Sequence, residues 1–293
     1  MKGGGQYPPV QVLLTIGMNT TSRKSNPGQG GRLTTTLERG LRVLQCFDTR
    51  DAVLSNSEIT RRTGLPKATV SRLSHTLVQL GYLKVSPDNG QFILGIGVLC
   101  LGYPLMSGNF LSPSTSKHLS RFAQLIDGTA TISVRDHLRI VSLQSESAND
   151  VLRRRPGVGL ALPFCGSTAG LAWLIGATDE ERGKATRELH YAVGDEAVRK
   201  YLDLYRRSAA FYRREGYVTT ENLVHKDTAV FAKSLYRRPG EDLLILSCAI
   251  STRTQSGRDA MGAVPRLLAG VAEAINGELK KPARARGANP ASP

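Results

Sequence analysis

The sequence predicts an α+β protein: a small winged helix-turn-helix comes first, then an apolar helix that either packs on that domain or links it to the next, then a larger domain of strands and helices. Three observations carry this. Residues 54–83 read as two short helices on either side of Gly64-Leu65-Pro66. Two strand-like runs, 82–85 and 91–94, follow at once around Ser86-Pro87-Asp88-Asn89-Gly90, which contains the strongest kind of hairpin turn signal. From Ser114 onward the pattern changes to helix and strand signals in turn.

Composition narrows the class. At 293 residues the chain has room for two domains, and 40% hydrophobic with 22% charged residues excludes a fibre or a disordered chain. The 39 basic residues against 24 acidic give +15, a balance that favours polyanions. Residues 32–95 hold 9 basic and 5 acidic side chains, a net of +4, so the excess is not confined to the helix pair. Further cations stand in Arg153-Arg154-Arg155 and near the C-terminus.

Cys46, Cys100, Cys165 and Cys248 are far apart and form no C-x-x-C pair, so neither zinc nor a disulfide framework is expected and a cytoplasmic location fits. The five histidines lack ligand spacing; no metal and no cofactor are expected. The apolar run 10–16 has none of the flanks of a signal peptide, and 94–106 is too short and too glycine-interrupted to span a bilayer.

Taken in order, residues 1–32 are rich in Gly, Ser, Pro, Gln and Asn without periodicity, which describes a flexible tail, and Met18 is an expected alternative start. The first domain is expected over 33–95. Thr35 with Glu38 spells a capping box, and Leu37, Leu41 and Leu44 give the first helix an apolar face. Ser55 and Glu58 spell a second box; Ile59 then faces inward, and Arg61 and Arg62 face water.

Gly64 ends that helix and Pro66 presets the first turn of the next. In the second helix Val70, Leu73, Leu77 and Leu80 form one apolar stripe. The opposite face carries Lys67, Ala68, Ser71, Arg72 and His75, with Thr69 beside them. Small and hydrogen-bonding side chains plus two cations are what a helix needs to enter a major groove ~12 Å wide. Lys84 stands on the wing.

The strings Leu37-Glu38-Arg39-Gly40-Leu41-Arg42-Val43-Leu44, Thr63-Gly64-Leu65-Pro66-Lys67-Ala68-Thr69-Val70-Ser71-Arg72-Leu73 and Phe92-Ile93-Leu94-Gly95 resemble the N-terminal domain of the IclR-type bacterial transcription regulators. The resemblance covers roughly residues 33–279 and is strongest over the first third. It implies a sequence-specific regulator that binds an operator in double-stranded DNA as a homodimer or tetramer. It also implies a linker helix, here 96–113 with Pro104 limiting it, and a GAF-like effector domain, here 114–279.

In that second domain Leu119, Phe122, Ala123 and Ile126 suggest a helix, and 130–134 with 139–143 suggest two strands around Arg135-Asp136-His137. Residues 157–174 are packed with small side chains around 166–169. That pattern lets a strand pass into a helix whose N-terminal N–H groups suit a carboxylate, or else marks a tight packing corner.

The segment is similar to the family's effector signature, but Cys165 stands where a histidine is usual and Leu171 where a lysine is usual. By resemblance Phe164, Cys165, Gly166, Ser167 and Thr168, with Glu221 and Cys248, border the effector pocket. A helix is expected over Asp195–Glu215, a loop over 219–228, strands over 229–235 and 243–250 around Arg238-Pro239-Gly240, and a final helix over 259–279. Residues 280–293 read as a basic tail.

The expected function is therefore a DNA-binding transcription regulator controlled by a small molecule, such as an organic or aromatic acid of carbon catabolism, and not an enzyme. Two alternatives stay open: a second domain that only dimerises, and a redox sensor that uses Cys165.

Overall fold

The computed structural model describes residues 34–48, 51–107, 111–148, 157–221, 223 and 226–281. The N-terminal tail with Met18, the run Arg153-Arg154-Arg155, His225 and all but the first two residues of the C-terminal tail lie outside them. The chain forms two compact units that divide between residues 109 and 110.

The first unit contains α1 (Thr35–Leu44), β1 (Val53–Leu54), α2 (Asn56–Thr63), α3 (Lys67–Gln79), β2 (Leu83–Val85), β3 (Phe92–Leu94) and α4 (Gly97–Ser107). Its core is Val43, Phe47, Leu54, Ile59, Leu65, Val70, Leu77 and Leu83. Ser55 caps α2 by accepting the Glu58 amide at 3.1 Å, and Gly64 closes it at φ 66° in the left-handed region, where glycine is unstrained. The hairpin β2–β3 pairs Leu83 with Leu94 and Val85 with Phe92. β1 adds a third strand through Val53 to Ile93 and Leu54 to Phe92.

Several local expectations are corrected here. α1 starts after Thr34, which makes no side-chain cap, so the Thr35–Glu38 box does not form. Leu37 and Leu41 point away from the core at 64% and 49% exposure, and Val43 holds α1 instead. Leu80 follows the helix end and is exposed, and Pro66 stands at the N-cap of α3 rather than in its first turn. Pro104 lies inside α4, which continues to Ser107.

The Glu58 side chain does not reach back to Ser55. It accepts Arg61 at 2.6 and 2.8 Å and Arg62 at 2.6 Å. Arg62 is 21% exposed rather than solvated, because it also donates to Asp51 at 2.7 Å and to the Cys46 carbonyl at 2.9 Å. One guanidinium thus ties α2 to the α1–β1 connection, and hydrogen bonds to charged groups contribute ~1.5–3 kcal/mol each.

The second unit is a six-stranded antiparallel sheet with helices on both faces. Its elements are α5 (Pro113–Leu125), β4 (Thr129–Asp136), β5 (Arg139–Ser147), β6 (Ala161–Pro163), α6 (Thr168–Gly176), α7 (Asp179–Val193), α8 (Asp195–Glu215), β7 (Val218–Glu221), β8 (Thr228–Ser234), β9 (Leu244–Ser251), α9 (Gln255–Ala260) and α10 (Val264–Lys280). The strand order is β6-β5-β4-β9-β8-β7, with β4 and β9 paired at the centre.

One face buries Ala130, Ile132, Phe231, Leu246, Cys248 and Ile250 under α5 and α10. The other buries Ile140, Ala232 and Ile245 under α6, α7 and α8. Fully burying a side chain such as Phe122 or Leu119 contributes ~1.5–3 kcal/mol.

Differences from the sequence reading are local. α7 is an additional helix, opened by a complete capping box between Thr178 and Glu181. Strand β7 occupies the start of the expected 219–228 loop. β4 runs on to Asp136, so that the turn is made at His137 with φ 52°. The final helix is two helices, because Pro265 starts α10 afresh after the turn at 261–263.

The Glu58 cluster gives a pH signature. Hydrogen bonds from Arg61 and then Arg62 hold its carboxyl at about 2, below the ordinary 4.5. A depressed folded value means stability that is present above pH 4.5 and lost as pH falls towards about 2. The thermal midpoint of the first unit should drop across that window in the wild type and far less in Glu58→Gln. Parallel curves for the two proteins would show that the cluster does not stabilise the fold.

Candidate nucleic-acid interface and ligand face

The Pro66 carbonyl accepts the Thr69 and Val70 amides at 2.8 and 3.0 Å, so α3 begins sharply at Lys67. Val70, Ser74 and Leu77 are buried, which fixes the rotation of the helix about its axis. Lys67, Ala68, Ser71, Arg72 and His75 are exposed on the other side, with Thr69 half-buried at the edge. The structure brings these six together on one face.

Lys84 is exposed on the wing, in register with Ile93. The wing tip is closed by Ser86 N–H to the Gln91 carbonyl at 2.7 Å and by Gln91 N–H to Asn89 Oδ1 at 3.0 Å. The cations of the helix pair fall into two classes. Arg61 and Arg62 are committed to Glu58 and Asp51, whereas the side chains of Lys67 and Arg72 bond to no described residue. Desolvating such free cations against phosphate or base edges breaks nothing inside the protein.

In the second unit the strand-to-helix corner holds Phe164, Cys165, Gly166, Ser167 and Thr168 together, all buried. Ser167 caps α6 by accepting the Gly170 amide at 3.1 Å. Tyr201 donates its hydroxyl to the Phe164 carbonyl at 2.9 Å, and the Phe164 ring meets Trp173 edge-on at 5.4 Å. A Cβ on Gly170 would stand 2.0 Å from the Phe164 carbonyl oxygen, so only glycine lets the helix pass this closely.

Cys165 carries no special reactivity. Burial pushes its thiol up to about 12, and it stays a neutral packing group. Cys248 is not brought to the corner. Strand alternation turns it to the opposite sheet face, among Phe231, Ile250 and the residues of α10, where burial pushes its thiol to about 12 as well. Glu221 is not brought to the corner either: it is exposed at the end of β7 and pairs with Ala229, which belongs to the face under α5 and α10.

Register identifies an open face beside the corner. Ser147, Thr129, Ala249, Val230 and Thr220 stand in one cross-strand row, and Ser145, Thr131 and Ser247 in the next. All eight are only partly buried, on the same face as α6, whereas their neighbours on the other face are closed over. Thr168 joins the first row through its hydroxyl, 2.5 Å from that of Thr220.

Thr129 to Ser147 and Thr131 to Ser145 are hydroxyl pairs at 2.8 and 3.0 Å. Sequence reasoning passed over these residues. The signal was a hydroxyl at every second position of β4 and again at the end of β5, where a fully covered strand would carry aliphatic side chains.

A charged cleft of about 170 Å³ lies elsewhere, lined by Arg135, Trp173, Glu181, Lys184, Arg237 and Asp242 among others. Both of its arginines are paired. Arg237 grips Glu181 at 2.6 and 2.8 Å, and Arg135 pairs with Glu188 at 2.6 Å while lying over the Trp173 ring. At that size and with those pairings it is a packing feature rather than a ligand pocket, which needs ~300 Å³ or more. Among the described residues no group of three His, Cys, Asp or Glu is placed to hold a metal, and no helix is long and apolar enough to cross a membrane.

Residues 36–87 match the model of the IclR helix-turn-helix domain. Over 209 residues the chain is 30% identical to the HTH-type transcriptional regulator TsaQ1/TsaQ2 of Comamonas testosteroni, covering 68% of this chain and 72% of that protein. It is 31% identical to the Pca regulon regulatory protein of Pseudomonas putida over 50% of each.

Among solved structures, an IclR family transcriptional regulator from Brucella abortus shares the fold with a TM-score of 0.75 at 27% identity, over 89% of this chain and 98% of that one. An IclR homolog from Microbacterium hydrocarbonoxydans, solved with 4-hydroxybenzoate, has a TM-score of 0.62 at 23% identity over 84% and 99%, a likeness of fold.

Thiol burial is directly measurable. Under native conditions iodoacetamide should label exposed Cys100 within minutes, and Cys165 and Cys248 only after denaturation. Rapid native labelling of Cys165 would revive its use as a redox sensor.

Proposed function

The chain belongs to the IclR family of bacterial transcription regulators, and on that premise we propose that α3 reads a specific operator in double-stranded DNA while a small-molecule effector on the second unit sets its occupancy. The observation that carries the proposal is the free polar face of α3 beside the neutralised arginines of α2. Lys67, Ser71, Arg72 and His75 reach base edges and phosphates, Ala68 leaves room for the groove wall, and Thr69 with Lys84 takes flanking phosphates. The protein acts where its DNA is, in the cytoplasm.

The effector binds over the open hydroxyl rows next to the Phe164–Thr168 corner, with Glu221 and Cys248, both turned to the other face of the sheet, taking no part. Hydroxyl donors and the N-terminal amides of α6 suit a small organic acid with an apolar body, the kind of molecule present in the 4-hydroxybenzoate complex of the Microbacterium homolog. Binding shifts occupancy only through unequal affinity for two arrangements of the reading domains.

One α3 reads few base pairs, so specificity requires a symmetric pair. The first unit supplies an apolar surface for it: Leu37, Leu41, Ile96, Leu99, Leu101, Tyr103 and Leu105 are all 49–67% exposed, far more than isolated apolar residues on a monomer surface. The protein is therefore a homodimer, or a tetramer built of dimers.

The decisive experiment is a titration of upstream DNA with the purified chain, with and without benzoate-type acids, followed by light scattering of the complex. Specific binding that shifts with one acid, with an even number of chains per duplex, is expected. Binding indifferent to sequence would overturn the operator reading, and one chain per duplex the dimer. In the same assay Arg72→Ala should weaken operator binding by ~1–3 kcal/mol and relax preference at one base pair. Unchanged affinity would remove Arg72 from the interface.

A further inference from the structure

The second unit is only mildly basic, yet its cations are concentrated in the middle and last turns of one helix, whose acids stand mostly at its ends. Its described residues hold 22 Lys and Arg against 18 Asp and Glu, a net of +4. Residues 199–214 of α8 alone hold six against one, a net of +5, so the remainder of the unit is slightly acidic.

The six cations stand in two heptad columns, Arg199, Arg206, Arg213 and Lys200, Arg207, Arg214. All six are exposed. With a rise of ~1.5 Å per residue each column repeats every ~10.5 Å and runs for ~21 Å along one side of the helix. The other side is anchored. Val198, Tyr201 and Ser208 are buried, and Leu202, Tyr205 and Tyr212 pack on the sheet core, so the cations project from a fixed platform.

Little inside the protein claims them. Lys200, Arg206 and Arg214 make exposed pairs with Glu196, Asp203 and Glu215 at 2.8, 2.7 and 2.6 Å, which solvent and salt screen strongly. Arg199 lies within electrostatic reach of the exposed Glu196 but makes no ion pair with it, and Arg207 and Arg213 pair with no described residue. A solvated helix face in a soluble domain ordinarily mixes both signs. Between residues 199 and 214 this one carries six cations over four turns with Asp203 as the one acid among them, the other acids of the helix standing at its ends, Asp195 and Glu196 at one and Glu215 at the other.

We propose that this face of α8 is a second, sequence-independent contact for DNA phosphates, which engages duplex flanking the bases read by α3. The inference rests on α3 binding an operator, and it adds a role that the reading helix does not require. Five of the six cations are arginines, whose planar forks match phosphate oxygens two at a time. The repeat of ~10.5 Å spans about three base-pair steps of 3.4 Å, so that each successive cation along a column meets a new phosphate.

The test uses the full chain and a duplex selected by the wild type from a random pool. One form is trimmed to the base pairs protected in a footprint, and the other carries 20 bp of random sequence on each side. For the wild type, log affinity against log salt should fall more steeply on the flanked duplex than on the trimmed one.

Arg199→Gln/Arg207→Gln/Arg213→Gln should lose that difference, with the slope reduced by up to about 2.7 at ~0.9 per phosphate, and should bind the trimmed duplex within twofold of wild type. Lys117→Gln/Arg121→Gln/Arg266→Gln, an equal charge loss at other exposed positions of the unit, should keep it.

Equal wild-type slopes on the two duplexes, or equal losses in both triple variants, would overturn the proposal. So would a variant that binds both duplexes like wild type but fails to regulate transcription in vitro, which would assign α8 to an acidic protein. Failure of the wild type to select any sequence would instead sink the operator reading itself.

Discussion

The pairing of β4 with β9 at the centre of the large sheet is the constraint on which the rest of the second unit depends. Because side chains alternate strictly, that pairing sends Ala130, Ile132, Leu246, Cys248 and Ile250 to one face and Thr131, Ser247 and Ala249 to the other. The first face is apolar across the central strands β4, β9 and β8, where α5 and α10 close it, and polar only towards the edges at Gln144, Glu146 and Thr219. The second is apolar only where α6, α7 and α8 cover it and is hydroxylated beyond them. The half-covered face is what the proposed effector reading rests on, and only glycine at 170 lets α6 pass as close to the Phe164 carbonyl as it does.

In the first unit the corresponding division is among cations. Glu58 and Asp51 consume Arg61 and Arg62 to hold α2 against its neighbours, which leaves Lys67 and Arg72 on α3 without internal partners. Under the proposed reading, stability and recognition therefore draw on different arginines ten residues apart, on successive helices. Helix α8 repeats the pattern, with Lys200, Arg206 and Arg214 in weak surface pairs and Arg207 and Arg213 without a described partner.

Legibility in the sequence followed the range of the interaction. Ser55, Gly64 and the Asn89-Gly90 turn act within four residues, and the first unit was readable from them before any coordinates. The stripe of Leu37 and Leu41 was readable as apolar but not as uncovered, since periodicity says that a face exists and not what meets it. β1 is two residues long and exists only because β3 offers an edge some forty residues on.

α7 buries only Ala185 and Leu189, too little for an apolar pattern, although its Thr178–Glu181 box was there to be read. Cys248 was misplaced for a different reason. Strand parity is undefined until register is known, and one residue of slip moves a side chain through the sheet. The hydroxyl rows are the same effect in reverse, because residues on five strands become neighbours only through register.

These magnitudes bear on how an effector could act. Couplings between sites are typically 1–3 kcal/mol, and one good base contact contributes about the same. An effector therefore need not remove the protein from DNA against the whole of its phosphate attraction. It needs only to favour an arrangement in which one α3 of a pair is out of register with its half-site. Phosphate contacts tolerate such a shift, since every step along the backbone offers another oxygen, whereas bidentate base contacts do not. A regulator with a sparing set of free cations on its reading helix, and its remaining charge in contacts indifferent to register, would lose specificity before it lost the duplex, and specificity is the quantity that determines operator occupancy among competing sites.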